Sequence, residues 1–189
     1  MSQQELLKMV VRVLDELHIP YMLTGSIVSS FQGEPRLTHD IDVLIALEKS
    51  TIDKLCAAFP PPEFHLDPNS IMRAIESQDM FNLIHISEGD KVDFWILTKE
   101  AFDQNRFSRK TAQDIMGMQV FVSSPEDTIL MKLRWAKLAG GSEKQFIDAL
   151  GVYEVQHDLL DLVYLERWAR ELQLQDYWKR LNDEAEPST

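Results

Sequence analysis

A chain of 189 residues, 44% hydrophobic and 26% charged, holds material for one ordinary domain, or one domain with a helical appendage. A net charge of −12 argues against broad, sequence-independent binding of DNA, which needs Lys and Arg to neutralise phosphates. No apolar run approaches the roughly 20 residues that span a bilayer, and a single cysteine, Cys56, excludes an internal disulfide.

The opening MSQQELLKMVV has no basic n-region and no cleavage site, so no secretory signal is expected and the cytoplasm is the expected compartment. Cys56 lies in an apolar helical patch without a charge partner in sequence, which reads as an inert buried thiol. Charge is unevenly spread. Residues 99–144 carry eight basic and six acidic side chains, a local +2, against −14 for the remainder. A solvated helix surface and a local basic patch both fit that segment.

Residues 3–17 place Leu6, Leu7, Val10, Val13, Leu14 and Leu17 at helical spacing, and Ser2 with Glu5 forms a capping-box pattern. Pro20 follows the helix end. Residues 21–24 read as a buried strand, broken by Gly25, and 26–31 as a short helix. Residues 40–47 read as a second strand, with Asp40, Asp42, Leu44 and Ala46 on one face. Ser50 is the expected cap of a helix through Phe59, which Pro60, Pro61 and Pro62 stop. Residues 63–79 are ambiguous between a helical turn and a mobile loop.

Strands follow at 81–86 and 91–97, joined as a hairpin by 87–90. Residues 99–106 read as a helix and 119–122 as a short strand. Ser124 caps a strong helix to Leu138, with Pro125 at its first position and acids in its first turn. Helices at 143–155, 158–173 and 175–183 complete the chain, and the tail reads as frayed. Strands and helices mix before residue 124 and only helices follow. The expected organisation is therefore an α/β core, 1–123, with a helical part, 124–189, packed on it.

Asp40 and Asp42 stand two apart on a strand, so their carboxylates share a face and repel unless a cation lies between them. A divalent metal is the obvious cation. Asp93 sits in the otherwise apolar VDFWIL, where a buried acid needs a partner. If its strand lies beside 40–47, three carboxylates meet, an oxygen-rich set suited to Mg²⁺ or Mn²⁺. The Gly25-Ser26 turn at a helix start suits phosphate.

The order Leu23-Thr24-Gly25-Ser26, a gap of thirteen residues, Asp40-Ile41-Asp42-Val43 and a later Asp93 resembles the nucleotidyltransferase superfamily with the DNA polymerase β-like fold. Further residues resemble its bacterial branch of AbiEii-type toxins and related nucleotidyltransferase-like proteins. These are Pro35-Arg36-Leu37-Thr38-His39-Asp40-Ile41-Asp42, Ser124-Pro125-Glu126-Asp127 with Lys132, and Lys144-Gln145-Phe146-Ile147-Asp148. The likeness covers roughly 5–175. It implies an α+β nucleotidyltransferase fold, a small mixed sheet flanked by helices, with a C-terminal helical part.

It also implies that Asp40, Asp42 and Asp93 hold metal and do the catalysis. Gly25, Ser26, Arg36 and Lys132 would bind the nucleoside triphosphate. The reaction implied is transfer of a nucleotidyl group to a hydroxyl of RNA such as tRNA, of a protein or of a small molecule. The alternative is a non-catalytic binding or regulatory module, such as one component of a toxin–antitoxin-like pair.

Each position also has a plainer reading. Asp40 and Arg36 can be loop charges, Asp42 a structural acid, Asp93 a solvent-facing hairpin acid, Ser26 a helix cap and Lys132 a snorkelling helix lysine. His39 fits a local turn contact, and His85 a hydrogen-bonded strand histidine. His18, His65 and His157 show no zinc-site spacing.

Overall fold

The capping box read at the N-terminus is present in the computed structural model: the Ser2 hydroxyl accepts from the Glu5 amide at 3.3 Å, and the Glu5 carboxylate accepts from the Ser2 amide at 2.7 Å. Residues 1–35, 38, 40–115 and 117–186 are described. Helix α1 (Gln3–Glu16) buries Leu6, Leu7, Val10, Val11, Val13 and Leu14. His18, at φ 53°, turns the chain out of it.

Seven strands among the described residues form one sheet: β1 (Tyr21–Thr24), β2 (Ile41–Ile45), β3 (Phe64–His65), β4 (Met80–His85), β5 (Lys91–Ile96), β6 (Thr111–Ile115) and β7 (Met118–Val122). Their order is β3-β4-β5-β2-β1-β7-β6. The pairs β2–β5 and β1–β7 are parallel and the others antiparallel. One face is closed. Leu23, Val43, Phe94 and Phe81 line up across it through successive registers, and all are buried. The other face carries Thr24, Asp42, Asp93 and Asn82 in the next row. The alternating burial of β4, with Phe81, Leu83 and His85 buried and the residues between them half-buried, is the half-exposed strand pattern.

By contacts the chain divides into two units, Met1–Thr24 with His39–Val122, and Gly25–Thr38 with Ser123–Thr189. Sequence alone counts residues 25–38 with the core, whereas in the structure they group with the C-terminal helices. The second unit comprises α2 (Gly25–Gln32), α6 (Pro125–Leu138), α7 (Glu143–Gln156), α8 (Leu162–Glu171) and α9 (Gln175–Glu184), numbered after α3 to α5 of the first unit. The Gln32 side-chain amide donates to the Ser123 carbonyl at 2.7 Å, and that of Gln156 donates to the Gln32 carbonyl at 2.8 Å. At Gly33 a Cβ would stand 2.7 Å from the Val152 nitrogen, so the approach of α2 to α7 requires glycine there.

Several elements depart from expectation. Residues 63–79 are structured: β3 is followed by α4 (Pro68–Ser77). Asp67 caps α4, accepting from the Asn69 and Ser70 amides at 3.0 and 3.1 Å. Ser50 caps nothing. It lies within a 3-10 turn, Lys49–Thr51, ahead of α3 (Ile52–Ala58). Strand β6 was not expected, because Thr111, Ala112, Gln113 and Asp114 are all exposed and give no apolar alternation. The segment read as one helix over 158–173 is broken at Leu160, because Asp161 caps α8 by accepting from the Tyr164 amide at 2.9 Å. Helix α5 (Ala101–Ser108) lies close to where it was read. Cys56 is half-buried, and burial, aided by Asp53 and Asp67, pushes its thiol above the ordinary value. Among the described residues, no helix is long and apolar enough to cross a membrane.

Candidate active site

Parallel pairing of β2 and β5 sets Asp42 opposite Asp93, so both carboxylates leave the same sheet face from adjacent strands. Asp40 precedes β2 by one residue and is half-buried. Further along the same face Met22, Leu44 and Phe107 of α5 pack together, with Ala46, Trp95 and Leu97 against them. The acids therefore sit upstream of this apolar patch, where the face is polar. Trp95 joins the two parts: its indole N–H donates to Asp42 Oδ1 at 3.2 Å.

Asp93 is 9% exposed, and a carboxylate so placed must be met by donors. The Asn82 amide, opposite on β4, donates to Oδ1 at 2.5 Å. The Lys91 ammonium donates to Oδ2 at 2.8 Å and Oδ1 at 3.2 Å. Lys91 is two residues before Asp93 on β5, hence on the same face. Its own pKa is raised, first by the hydrogen bond to Asp93. Partial burial opposes that shift, and the charges of Asp93, Asp40 and Asp42 add to it. Sequence reasoning missed Lys91, although the period of two that paired Asp40 with Asp42 also pairs Lys91 with Asp93.

Whether these residues suit a divalent ion is a question of donor type and placement. Carboxylate oxygens on neighbouring strands are the hard donors that Mg²⁺ and Mn²⁺ take. Among the described residues, however, no group of three acidic, histidine or cysteine side chains already converges on one point. The oxygens of Asp93 instead face an ammonium. The donor chemistry suits a divalent metal, while both oxygens of Asp93 are engaged by Lys91.

In the second unit Gly25, at φ 71°, opens α2 in a conformation that favours glycine. Ser26 is buried. The Lys132 ammonium donates to Ser26 Oγ at 3.2 Å and to Asp148 Oδ2 at 2.7 Å, with lysine and aspartate side chains 4% and 6% exposed. Asp148, noted in sequence only as the end of a motif, is thus a buried ion-pair partner. Arg36 and His39 lie outside the described residues. His85 is buried on the closed face against Phe64, with ring centroids 5.4 Å apart; its Nε2 lies 3.5 Å from the Ser87 hydroxyl, as expected of a bonded strand histidine, while its Nδ1 has no hydrogen-bond partner.

No family model matches the chain, and no curated protein matches it in sequence. Solved structures do resemble it. The antibiotic-resistance factor ANT(2'')-Ia aligns with TM-score 0.52 at 14% identity, over 92% of this chain and 96% of that one. An antigenic nucleotidyltransferase-like protein from Paracoccidioides brasiliensis aligns with TM-score 0.49 at 18% identity, over 92% of each chain. The lincosamide antibiotic adenylyltransferase LnuA aligns with TM-score 0.47 at 12% identity, over 82% and 98%. The fold is that of nucleotidyltransferases, and identities this low speak to the fold alone.

Proposed function

We propose that the protein is a metal-dependent nucleotidyltransferase, moving a nucleotidyl group from a nucleoside triphosphate to a hydroxyl acceptor. The observation that carries this reading is the register of Asp42 with Asp93 on adjacent parallel strands, at the polar end of a nucleotidyltransferase-fold sheet.

Asp40, Asp42 and Asp93 are the proposed ligands of Mg²⁺ or Mn²⁺. When bound, the metal lowers the pKa of the attacking hydroxyl and offsets charge on the triphosphate. The acceptor oxygen forms a bond to the α-phosphorus, the bond to the bridging oxygen breaks, and pyrophosphate leaves. Asp93 would take the hydroxyl proton, its carboxylate oriented by the hydrogen bond from Asn82. For the phosphates we propose Gly25, Ser26 and Arg36. Lys132 would act through the Ser26 hydroxyl to which it donates. The Pro35-Arg36-Leu37-Thr38-His39-Asp40 run supports the AbiEii-like branch.

The test is incubation with each α-labelled nucleoside triphosphate, Mg²⁺, and total cellular RNA, protein or small-molecule extract. Label should move to one acceptor class, and Asp93→Ala should reduce the transfer by roughly 10³-fold, equivalent to about 4 kcal/mol of barrier. Transfer that persists in Asp93→Ala would refute the role given to that carboxylate. Absence of transfer and of nucleotide binding in wild type would refute the enzyme itself.

A further inference from the structure

We propose that Lys91 is a built-in counter-ion that holds the carboxylate site shut and must leave Asp93 before a divalent metal is bound. The inference rests on the reading of Asp40, Asp42 and Asp93 as a metal centre.

Three observations carry it. The Lys91 ammonium contacts both oxygens of Asp93, at 2.8 and 3.2 Å, so it takes the positions a metal would coordinate. The charges of Asp40 and Asp42 add to the upward shift of the Lys91 ammonium, so the attraction it feels is not confined to Asp93. The lysine side chain is 46% exposed while that of its partner is 13% exposed, so the ammonium has solvent to retreat into and the carboxylate does not. A flexible four-carbon stem gives the ammonium that freedom, whereas Asp93 is fixed on a central strand and held by Asn82.

Without a cation, two carboxylates in register on neighbouring strands would repel each other. Lys91 offsets part of that repulsion in the metal-free protein. Metal entry then exchanges one cation for another, and the measured affinity is the intrinsic one reduced by the competition of the lysine. The exchange breaks no covalent bond and consumes no proton, because Lys91 leaves as the ammonium it already is.

The experiment is direct titration of Mn²⁺ into the full chain, followed by calorimetry and by the loss of free-ion paramagnetic resonance signal, without nucleotide. Lys91→Met should bind Mn²⁺ roughly tenfold more tightly than wild type, as removal of one nearby unit charge implies. Lys91→Arg keeps the charge and should stay near wild type. Asp42→Asn in the Lys91→Met background should lose the gain, which locates the ion. Lys91→Met binding with wild-type or weaker affinity would overturn the counter-ion role while leaving the metal centre standing. No Mn²⁺ bound by wild type or by Lys91→Met would overturn the metal centre and the proposal together. Circular dichroism on each variant confirms that the compared proteins are folded.

Discussion

The molecule contains two lysine–aspartate pairs of nearly equal length in opposite surroundings. Lys91 meets Asp93 at 2.8 Å on the polar sheet face, with the ammonium stem almost half exposed. Lys132 meets Asp148 at 2.7 Å between α6 and α7, with both side chains at 6% exposure or less. The Coulomb attraction at contact is similar, but the cost of separation is not. An ammonium leaving Asp93 is rehydrated as it goes. One removed from Asp148 leaves a carboxylate where water does not reach. The first pair is therefore built to be exchanged and the second to be kept. Distance alone would have classed them together.

The sharpest way to break the comparison is Lys132→Met. It removes the buried ammonium from Asp148 and should cost about 3–5 kcal/mol in urea unfolding, whereas replacing both partners, as Lys132→Met with Asp148→Leu, should recover most of that loss. A cost below about 1 kcal/mol for the single variant would place this pair with the surface kind. Next in size is an alkaline effect in the first unit, where burial, with some help from Asp15, raises the Tyr21 phenol to about 12. The backbone of Phe121 opposes it slightly. Below pH ~10 the phenol is neutral in folded and unfolded chains alike. Above that pH the unfolded chain ionises first, so stability should fall from pH ~10 until the folded phenol itself ionises. Denaturant midpoints measured across that range, with Tyr21→Phe flattening part of the slope, check the sign.

How much of this could be read from the chain depends on where the information lies. Capping patterns are local, so Ser2 with Glu5 and Ser124 with Pro125 were legible, and Asp67-Pro68 should have been. Strands with one buried face declare themselves by alternation, as in β4. Strand β6 cannot, since it is held by backbone bonds to β7 and shows its first four side chains to solvent. The shared face of Asp40 and Asp42 follows from strand period. Their adjacency to Asp93 does not, because it depends on β2 and β5 pairing in parallel across some fifty residues of chain. The partners of the two cations were hidden for different reasons. Asp148 lies on another helix from Lys132. Lys91 is within two residues of Asp93, but a lysine beside an acid on a strand is also the pattern of an ordinary surface ion pair, so sequence alone does not distinguish it.

The smallest expected effect discriminates most. Lys91→Met should change stability in metal-free buffer by no more than about 1 kcal/mol, the range of exposed ion pairs. The lost attraction is set against water reaching Asp93 and against the side-chain entropy regained. A cost of several kcal/mol would mean that the sheet depends on this pair as α6 and α7 depend on theirs, and the contrast between the two would fail. Added Mn²⁺ then makes the difference visible. A ligand bound only by the folded chain stabilises it in proportion to the logarithm of its concentration over Kd. A variant that binds the ion tenfold more tightly therefore gains about 1.4 kcal/mol more than wild type at saturating metal. Lys91→Met should thus be equal to or slightly weaker than wild type without metal and stronger with it. That crossing of the two melting curves is an outcome that neither a purely structural salt bridge nor an inert surface lysine would produce.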